Sequence, residues 1–152
     1  LGRLLGHAFA DVRGSSTRLA LATPQLTASI APLFDDMLDF RRATAQVPAA
    51  PNVIDYAVRL VRATRPVSNG EAPDYIKRWI RWGASPRASQ YLILAGRARA
   101  ACEGRFNVAC EDVAALAPLV LRHRLIRTFQ ADAEGKTTDE IIAQLLQDVA
   151  RE

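Results

Sequence analysis

Prolines set the frame of this chain. Pro48 and Pro51, then Pro66, Pro73 and Pro86, cut the sequence from residue 34 onward into short stretches. Each proline removes a backbone donor and disfavours helix in the residue before it. Between these breaks the apolar residues recur at intervals of three and four, the period of helices rather than strands. Phe34, Met37 and Leu38, with Arg41, mark a first helix that stops at Pro48-Ala49-Ala50-Pro51. Asn52 is the expected N-cap of a second, with Asp55 three residues on favouring its positive end. Val53, Ala57, Leu60, Val61 and Thr64 form the apolar stripe of that helix, which reaches about Arg65 before Pro66 ends it. A polar loop from Ser68 to Pro73 follows.

Tyr75 to Trp82 reads as a short aromatic piece, helical or extended, broken by Gly83. Ser85-Pro86 is a strong start signal, serine at N-cap and proline at N1. The helix it opens should run to about Glu103, with Ala88, Leu92, Ala95 and Ala98 inward and Gly104 as its stop. Arg105 to Val108 is a short extended stretch. Glu111 and Asp112 favour the next helix start, and Val113, Leu116 and Val120 its inner face, with Pro118 at a kink or tight turn. His123 to Phe129 alternates enough for a short strand. Thr137 and Glu140 form a capping box, and Ile141, Leu145 and Val149 mark the final helix. The fold class is therefore mainly α, a small helical bundle with room for one short two-stranded β-ribbon. Residues 1–33 read differently. Leu1 to Val12 could form a short amphipathic helix, but Gly14, Ser15, Ser16, Thr23-Pro24 and Ala31-Pro32 interrupt the stretch, which is expected to be an arm or linker. Residues 34–152 are expected to be the folded domain.

Length and composition exclude several classes. A chain of 152 residues suits one domain, or one domain with an extension. Its 49% hydrophobic and 24% charged residues exclude wholesale disorder. No apolar run approaches the roughly 20 residues a membrane helix needs, and none reads as a charged-then-apolar leader. The chain begins with Leu1 rather than methionine, as a processed product or a piece of a longer protein does. Two cysteines, Cys102 and Cys110, are too few for a disulfide scaffold or a four-cysteine zinc module; they are expected to be small core fillers, and no metal site is expected. The phosphate-loop, dinucleotide, nucleophile-elbow and zinc-protease motifs are all missing from these residues. His7 and His123 lie far apart.

The net charge is +4, almost all of it from arginine, and the excess gathers in residues 51–100, whereas 101–152 lean acidic. The cluster that stands out is Trp79-Ile80-Arg81-Trp82-Gly83-Ala84-Ser85-Pro86-Arg87. Arg87 falls at about N2 of its helix, where a cation faces the positive end of the macrodipole at a cost of some tenths of a kcal/mol. Lys77 and Arg81 add like charge. Two readings stay open from position alone: Arg87 extends into water, or an anion sits at the helix start, where free N–H groups and a guanidinium converge on it. The run Arg122-His123-Arg124 is a second basic site near a helix C-terminus, where positive charge is stabilising by itself; no role is assigned to it.

At these residues the sequence resembles a known family. Trp82-Gly83-Ala84-Ser85-Pro86-Arg87-Ala88 is similar to the second-sensor motif in the C-terminal lid of MoxR-type AAA+ ATPases. Asp55 to Pro66 resembles that family's helix entering the lid. Glu103 to Val108 with Glu111-Asp112-Val113, Ala117 to Leu125, and Ala133-Glu134-Gly135-Lys136-Thr137 resemble further family segments, in the family's order, over about residues 34–150. Two departures stand beside this: residues 1–33 do not resemble the family's nucleotide-binding core, and Cys110 sits where the family usually has a threonine-proline or serine-type start. The resemblance implies the C-terminal helical lid of an ATPase that remodels proteins or inserts metal cofactors. It implies ATP and Mg²⁺ in the full-length protein, with Mg²⁺ held by the core and not by this chain. It makes Arg87 the sensor arginine toward the γ-phosphate, with Ser85, Pro86 and Arg87 as the ATP-facing helix start. It also implies a homo-oligomeric ring, a partner carrying a von Willebrand factor A domain, and the cytoplasm. The chain alone should be catalytically silent.

Two other classes compete. A basic helical nucleic-acid-binding module would use the tryptophans and arginines around residue 80, but the acidic C-terminal third interrupts a nucleic-acid-facing surface. A helical adaptor would use residues 1–33 as a docking arm and would not need Arg87.

Overall fold

A computed structural model describes residues 36–66 and 72–151. The readings of residues 1–33, Phe34 and most of the loop after Val67 fall outside these. The chain separates into two units, Leu1–Arg42 and Ala43–Glu152.

Helix α1 covers residues 36–46. Within its first turns Asp39 and Arg42 pair at 3.0 Å. Helix α2 is Pro51–Ala63. Its N-cap is Ala50, not Asn52, because Pro51 already carries the fixed φ of a first helical residue and needs no N–H there. Asp55 accordingly lies beyond the first turn, and pairs with Arg59 at 3.1 Å. The expected stripe is correct: Val53, Ala57, Leu60, Val61 and Thr64 are all buried.

Tyr75 to Trp82 splits between both expected forms. Helix α3, Asp74–Trp79, passes directly into strand β1, Ile80–Trp82. Strand β2, Ile126–Arg127, pairs antiparallel with β1, matching Ile80 to Arg127 and Trp82 to Ile126 around an irregularity. Of the strand expected over 123–129 only Ile126–Arg127 forms, because Thr128 caps and Phe129 opens the next helix; among the described residues this is the one ribbon.

Helix α4, Arg87–Cys102, and helix α5, Cys110–Leu121, make the most extensive helix pair, with α2 also against both. The buried line of α4 is Ala88, Leu92, Gly96 and Ala100; the expected Ala95 and Ala98 are only half-buried. Gly96 explains the phase. A Cβ there would lie 2.8 Å from Val108 Cγ1, so the loop before α5 seats where α4 has no side chain. The expected inward pair Ala95 and Ala98 thus lies beside the core-facing line, which repeats every fourth residue.

Glycine ends α4 as expected. Gly104 has φ 68°, and Arg105 N–H bonds Ala100 O at 2.8 Å while Gly104 N–H bonds Ala101 O at 3.1 Å. This pair of bonds satisfies carbonyls that the last turn would leave open. Val108 N–H then bonds Pro48 O at 3.1 Å, and Ala49 bridges Val108 in parallel. Pro118 lies within α5 without ending it. Cys110 is buried at the start of α5, whereas Cys102 is exposed and fills no core. Among the described residues, no three histidine, cysteine or acidic side chains gather as a metal site would require.

Helix α6, Phe129–Ala133, and helix α7, Thr138–Asp148, complete the domain. The capping box at α7 forms as read: Glu140 N–H donates to Thr137 Oγ1 at 3.2 Å, and Thr137 N–H donates to Glu140 Oε2 at 2.8 Å. Tyr56, Leu60, Leu92, Val113, Leu121, Ile141, Ile142 and Leu145 are almost wholly buried in one cluster. Burying each of the larger aliphatic ones stabilises the fold by about 1.5–3 kcal/mol. No helix of the described residues is long and apolar enough to cross a membrane.

Candidate functional site

The segment from Gly83 to Arg87 links the ribbon to α4 and lies against the end of α2. The contact is closer than side chains permit. A Cβ on Gly83 would stand 2.4 Å from Thr64 O and 2.8 Å from Arg65 Cα, both backbone atoms, so only glycine fits. One residue on, Ala84 is buried and both its polar backbone groups are taken. Its N–H donates to Thr64 Oγ1 at 2.9 Å, and its carbonyl accepts from Arg65 Nε at 2.9 Å.

Ser85, Pro86 and Arg87 are all exposed. The helix begins one residue later than the sequence suggested. Pro86 is the N-cap, though its φ of −54° and ψ of −29° are already helical. Ser85 contributes its carbonyl, which accepts from Ala88 N–H at 2.9 Å, and its hydroxyl makes no cap bond. Proline's ring holds the helical φ without a serine cap, which is why the serine-cap reading fails while the start itself stands. Ser89 Oγ donates to Pro86 O at 2.6 Å and fastens the same turn. Arg87 is thus the first residue of α4, with no acidic residue in the first turn. The dipole penalty anticipated for it is present and uncompensated by any neighbouring carboxylate of that turn.

A cavity of about 310 Å³ opens beside this segment, lined by Arg65, Pro66, Arg81, Trp82, Gly83, Ala84, Ser85 and Pro86. Its walls combine two guanidinium-bearing residues, two prolines and an indole that is 62% exposed. Such a surface suits a ligand with both an anionic part and a flat apolar part. Arg81 belongs to the basic cluster that the sequence marks, whereas nothing in the sequence ties Thr64 or Arg65 to this site. Thr64 reads there only as one position of an apolar stripe. A threonine on such a stripe carries a hydroxyl that must find a partner when buried, and that was the available signal.

The other family-like segments hold the frame rather than meet at this cavity. Arg105 donates to Asp112 Oδ1 at 2.6 Å and Oδ2 at 2.9 Å, and Ala109 N–H also donates to Asp112 Oδ2. The Arg105 hydrogen bonds hold the Asp112 carboxyl below the ordinary carboxylate range despite its burial. Glu134 accepts from Trp79 Nε1 at 2.9 Å and pairs with Arg78, and Trp79 leads this carboxyl's downward shift. Lys136 lies over the Trp79 ring, 5.3 Å from its centroid, and Gly135 turns the chain with φ 67°. In the Arg122-His123-Arg124 run, Arg122 Nε meets Asp139 at 2.8 Å and Arg124 stacks 5.0 Å from the Tyr91 centroid. Both arginines therefore join elements of the domain.

Residues 75–145 match the model of the AAA lid domain. The chain is 39% identical over 115 residues to the chaperone MoxR1 of Mycobacterium tuberculosis, covering 76% of this chain and 30% of that protein. It is 29% identical over 112 residues to the uncharacterised protein YeaC of Bacillus subtilis, covering 74% and 32% respectively. A crystal structure of an ATPase-designated protein from Cytophaga hutchinsonii superposes with a TM-score of 0.70 at 33% identity, covering 76% of this chain and 35% of that one. The chain thus spans about a third of the length of these relatives.

Proposed function

Because residues 75–145 are an AAA lid domain of the MoxR type, we propose that this chain serves as the lid of a longer ATPase and contributes Arg87 as its sensor for the γ-phosphate. The observation that carries this reading is the placement of Arg87. It is exposed at the first residue of α4, beside a cavity whose rim holds Arg65 and Arg81, on a turn fixed against the end of α2. The positive end of α4 and the guanidinium would both favour a phosphate there. Ser85 and Pro86 shape the start of that helix toward the nucleotide.

The residues present fit a nucleoside triphosphate in charge and in the presence of an apolar wall. When bound, ATP supplies the phosphoryl group that is transferred to water, with Mg²⁺ held by the nucleotide-binding core. This chain's part is to place a fixed positive charge where negative charge develops, and to shield that region with α2 and α4. The complete protein is proposed to work as a homo-oligomeric ring in the cytoplasm, remodelling proteins or assisting metal-cofactor insertion, beside a partner with a von Willebrand factor A domain. The name of MoxR1, a chaperone, supports the remodelling reading.

The experiment is Arg87→Ala in the full-length ATPase. Turnover should fall by about 10²-fold, the scale of losing one preorganised donor to transition-state charge. Unchanged turnover would remove Arg87 from the sensor role. The isolated chain should hydrolyse no ATP; robust turnover by the pure chain would overturn the lid reading as a whole.

A further inference from the structure

We propose that Thr64 and Arg65, at the end of α2, are positioning residues for Arg87; the inference rests on the sensor reading above. The two residues are consecutive, and between them they bind both backbone polar groups of Ala84. Thr64 is fully buried. Its hydroxyl donates to Val61 O at 2.7 Å and accepts from Ala84 N–H at 2.9 Å. A hydroxyl has one donor and two acceptor sites, so Thr64 relays the last turn of α2 directly onto the segment before α4. Arg65 Nε completes the hold by donating to Ala84 O at 2.9 Å.

From Ala84 to Arg87 little slack remains. The Ser85 carbonyl is bonded to Ala88 N–H at 2.9 Å, the Pro86 ring fixes its φ, and the Pro86 carbonyl accepts from both Ser89 N–H and Ser89 Oγ. The absent Cβ of Gly83 lets the segment sit against the Thr64 carbonyl in the first place. Each residue from Gly83 to Pro86 is therefore held by a ring, a close contact or a hydrogen bond. A plain apolar contact would bury Ala84 equally well but would not define where α4 begins. Hydrogen bonds at both its N–H and its carbonyl fix the position and the rotation of that peptide. A reacting group displaced by about 1 Å can cost on the order of 10²-fold in rate, so this definition matters for Arg87 in a way it does not for the fold.

The test is a double-mutant cycle in the full-length ATPase, with Thr64→Val and Arg87→Ala. Thr64→Val keeps the shape and removes the hydroxyl. It should lower kcat by about 10-fold, and Thr64→Ser, which restores the hydroxyl, should return most of that loss. In the Arg87→Ala background Thr64→Val should change kcat by less than about 2-fold, because nothing remains to be positioned. Equal losses in both backgrounds, or no loss in the native one, would overturn the inference while leaving the sensor reading intact. If Arg87→Ala itself leaves kcat unchanged, the sensor reading fails and the positioning role falls with it. Should Thr64→Val not fold, Arg65→Lys enters the same cycle: it keeps the charge and loses the Nε donor, and the same coupling is expected.

Discussion

Arg105 closes on Asp112 through two hydrogen bonds, at 2.6 and 2.9 Å, across the loop that joins α4 to α5. Asp112 is 2% exposed, and the same carboxylate also accepts from Ala109 N–H at 2.9 Å, while Arg99 approaches it at 3.5 Å. One buried charge therefore serves as the cap of α5, the anchor of the loop and a tie to the last turn of α4. This ties the segment together, and it accounts for Arg105 and Asp112 of the family-like stretches without a ligand; Phe106, 89% exposed, takes no part in it.

Removing the cation should be costly. Arg105→Ala leaves a buried carboxylate without its main partner, held only by Ala109 N–H and the more distant Arg99, and should destabilise the fold. Urea unfolding of the isolated chain would read this as a lower midpoint at constant slope. A change below about 0.5 kcal/mol would mean that water replaces Arg105 freely and that the clamp contributes nothing.

The same pair predicts an acid limb. Arg105 hydrogen bonds hold the folded-state pKa of Asp112 below its unfolded value. Its contribution is therefore complete above the unfolded pKa, near 4, and is lost as pH falls through the lower folded value. Stability should decline as pH drops below about 4, and Asp112→Asn should be less stable at pH 7 yet show a shallower decline. Parallel limbs in the two proteins would assign the acid loss to other carboxylates.

The cap of α7 offers a local comparison. Thr137 Oγ1 accepts from Glu140 N–H at 3.2 Å, and Glu140 returns a bond to Thr137 N–H at 2.8 Å. Thr137→Ala should cost about 1 kcal/mol, the usual loss for a threonine cap, and Thr137→Ser should be nearly neutral. Thermal unfolding of the three proteins at one pH decides it; an unchanged midpoint for Thr137→Ala would place the end of α7 outside the cooperative unit.

Particular residues explain what could be read from sequence. The Thr137 cap, the Gly104 stop and the buried stripe of α2 were legible because each depends on neighbours within four residues. The site was legible in part: Arg87 stands out because a cation at a helix start contradicts local electrostatics. Its surroundings were not. Thr64 and Ala84 lie 20 residues apart, and nothing in either position announces the bond between them. Asn52 misled for a related reason, since a good cap residue loses to a proline one position earlier. Gly96 was missed because the atom that requires it, Val108 Cγ1, belongs to a loop whose docking is tertiary.

Two glycines separate backbone conformation from crowding, and Gly83 carries the larger prediction. Gly104 has φ 68° and nothing within 4 Å of a built Cβ, so Gly104→Ala meets only the left-handed penalty of roughly 1–2 kcal/mol. At Gly83 a Cβ would sit 2.4 Å from Thr64 O and 2.7 Å from Thr64 C, and neither atom can rotate away. The segment must lift from α2, and the bonds from Thr64 and Arg65 to Ala84 stretch with it. Gly83→Ala should therefore cost at least about 3 kcal/mol, the upper range for overpacking, and more than Gly104→Ala. It should also accelerate amide hydrogen exchange at Ala84 under native conditions, an effect Gly104→Ala lacks because its strain lies at the far end of α4. If the two substitutions cost the same and Ala84 stays protected in both, the close seat of Gly83 on α2 is not a feature of the protein in solution, and the hold on Arg87 that depends on it is lost.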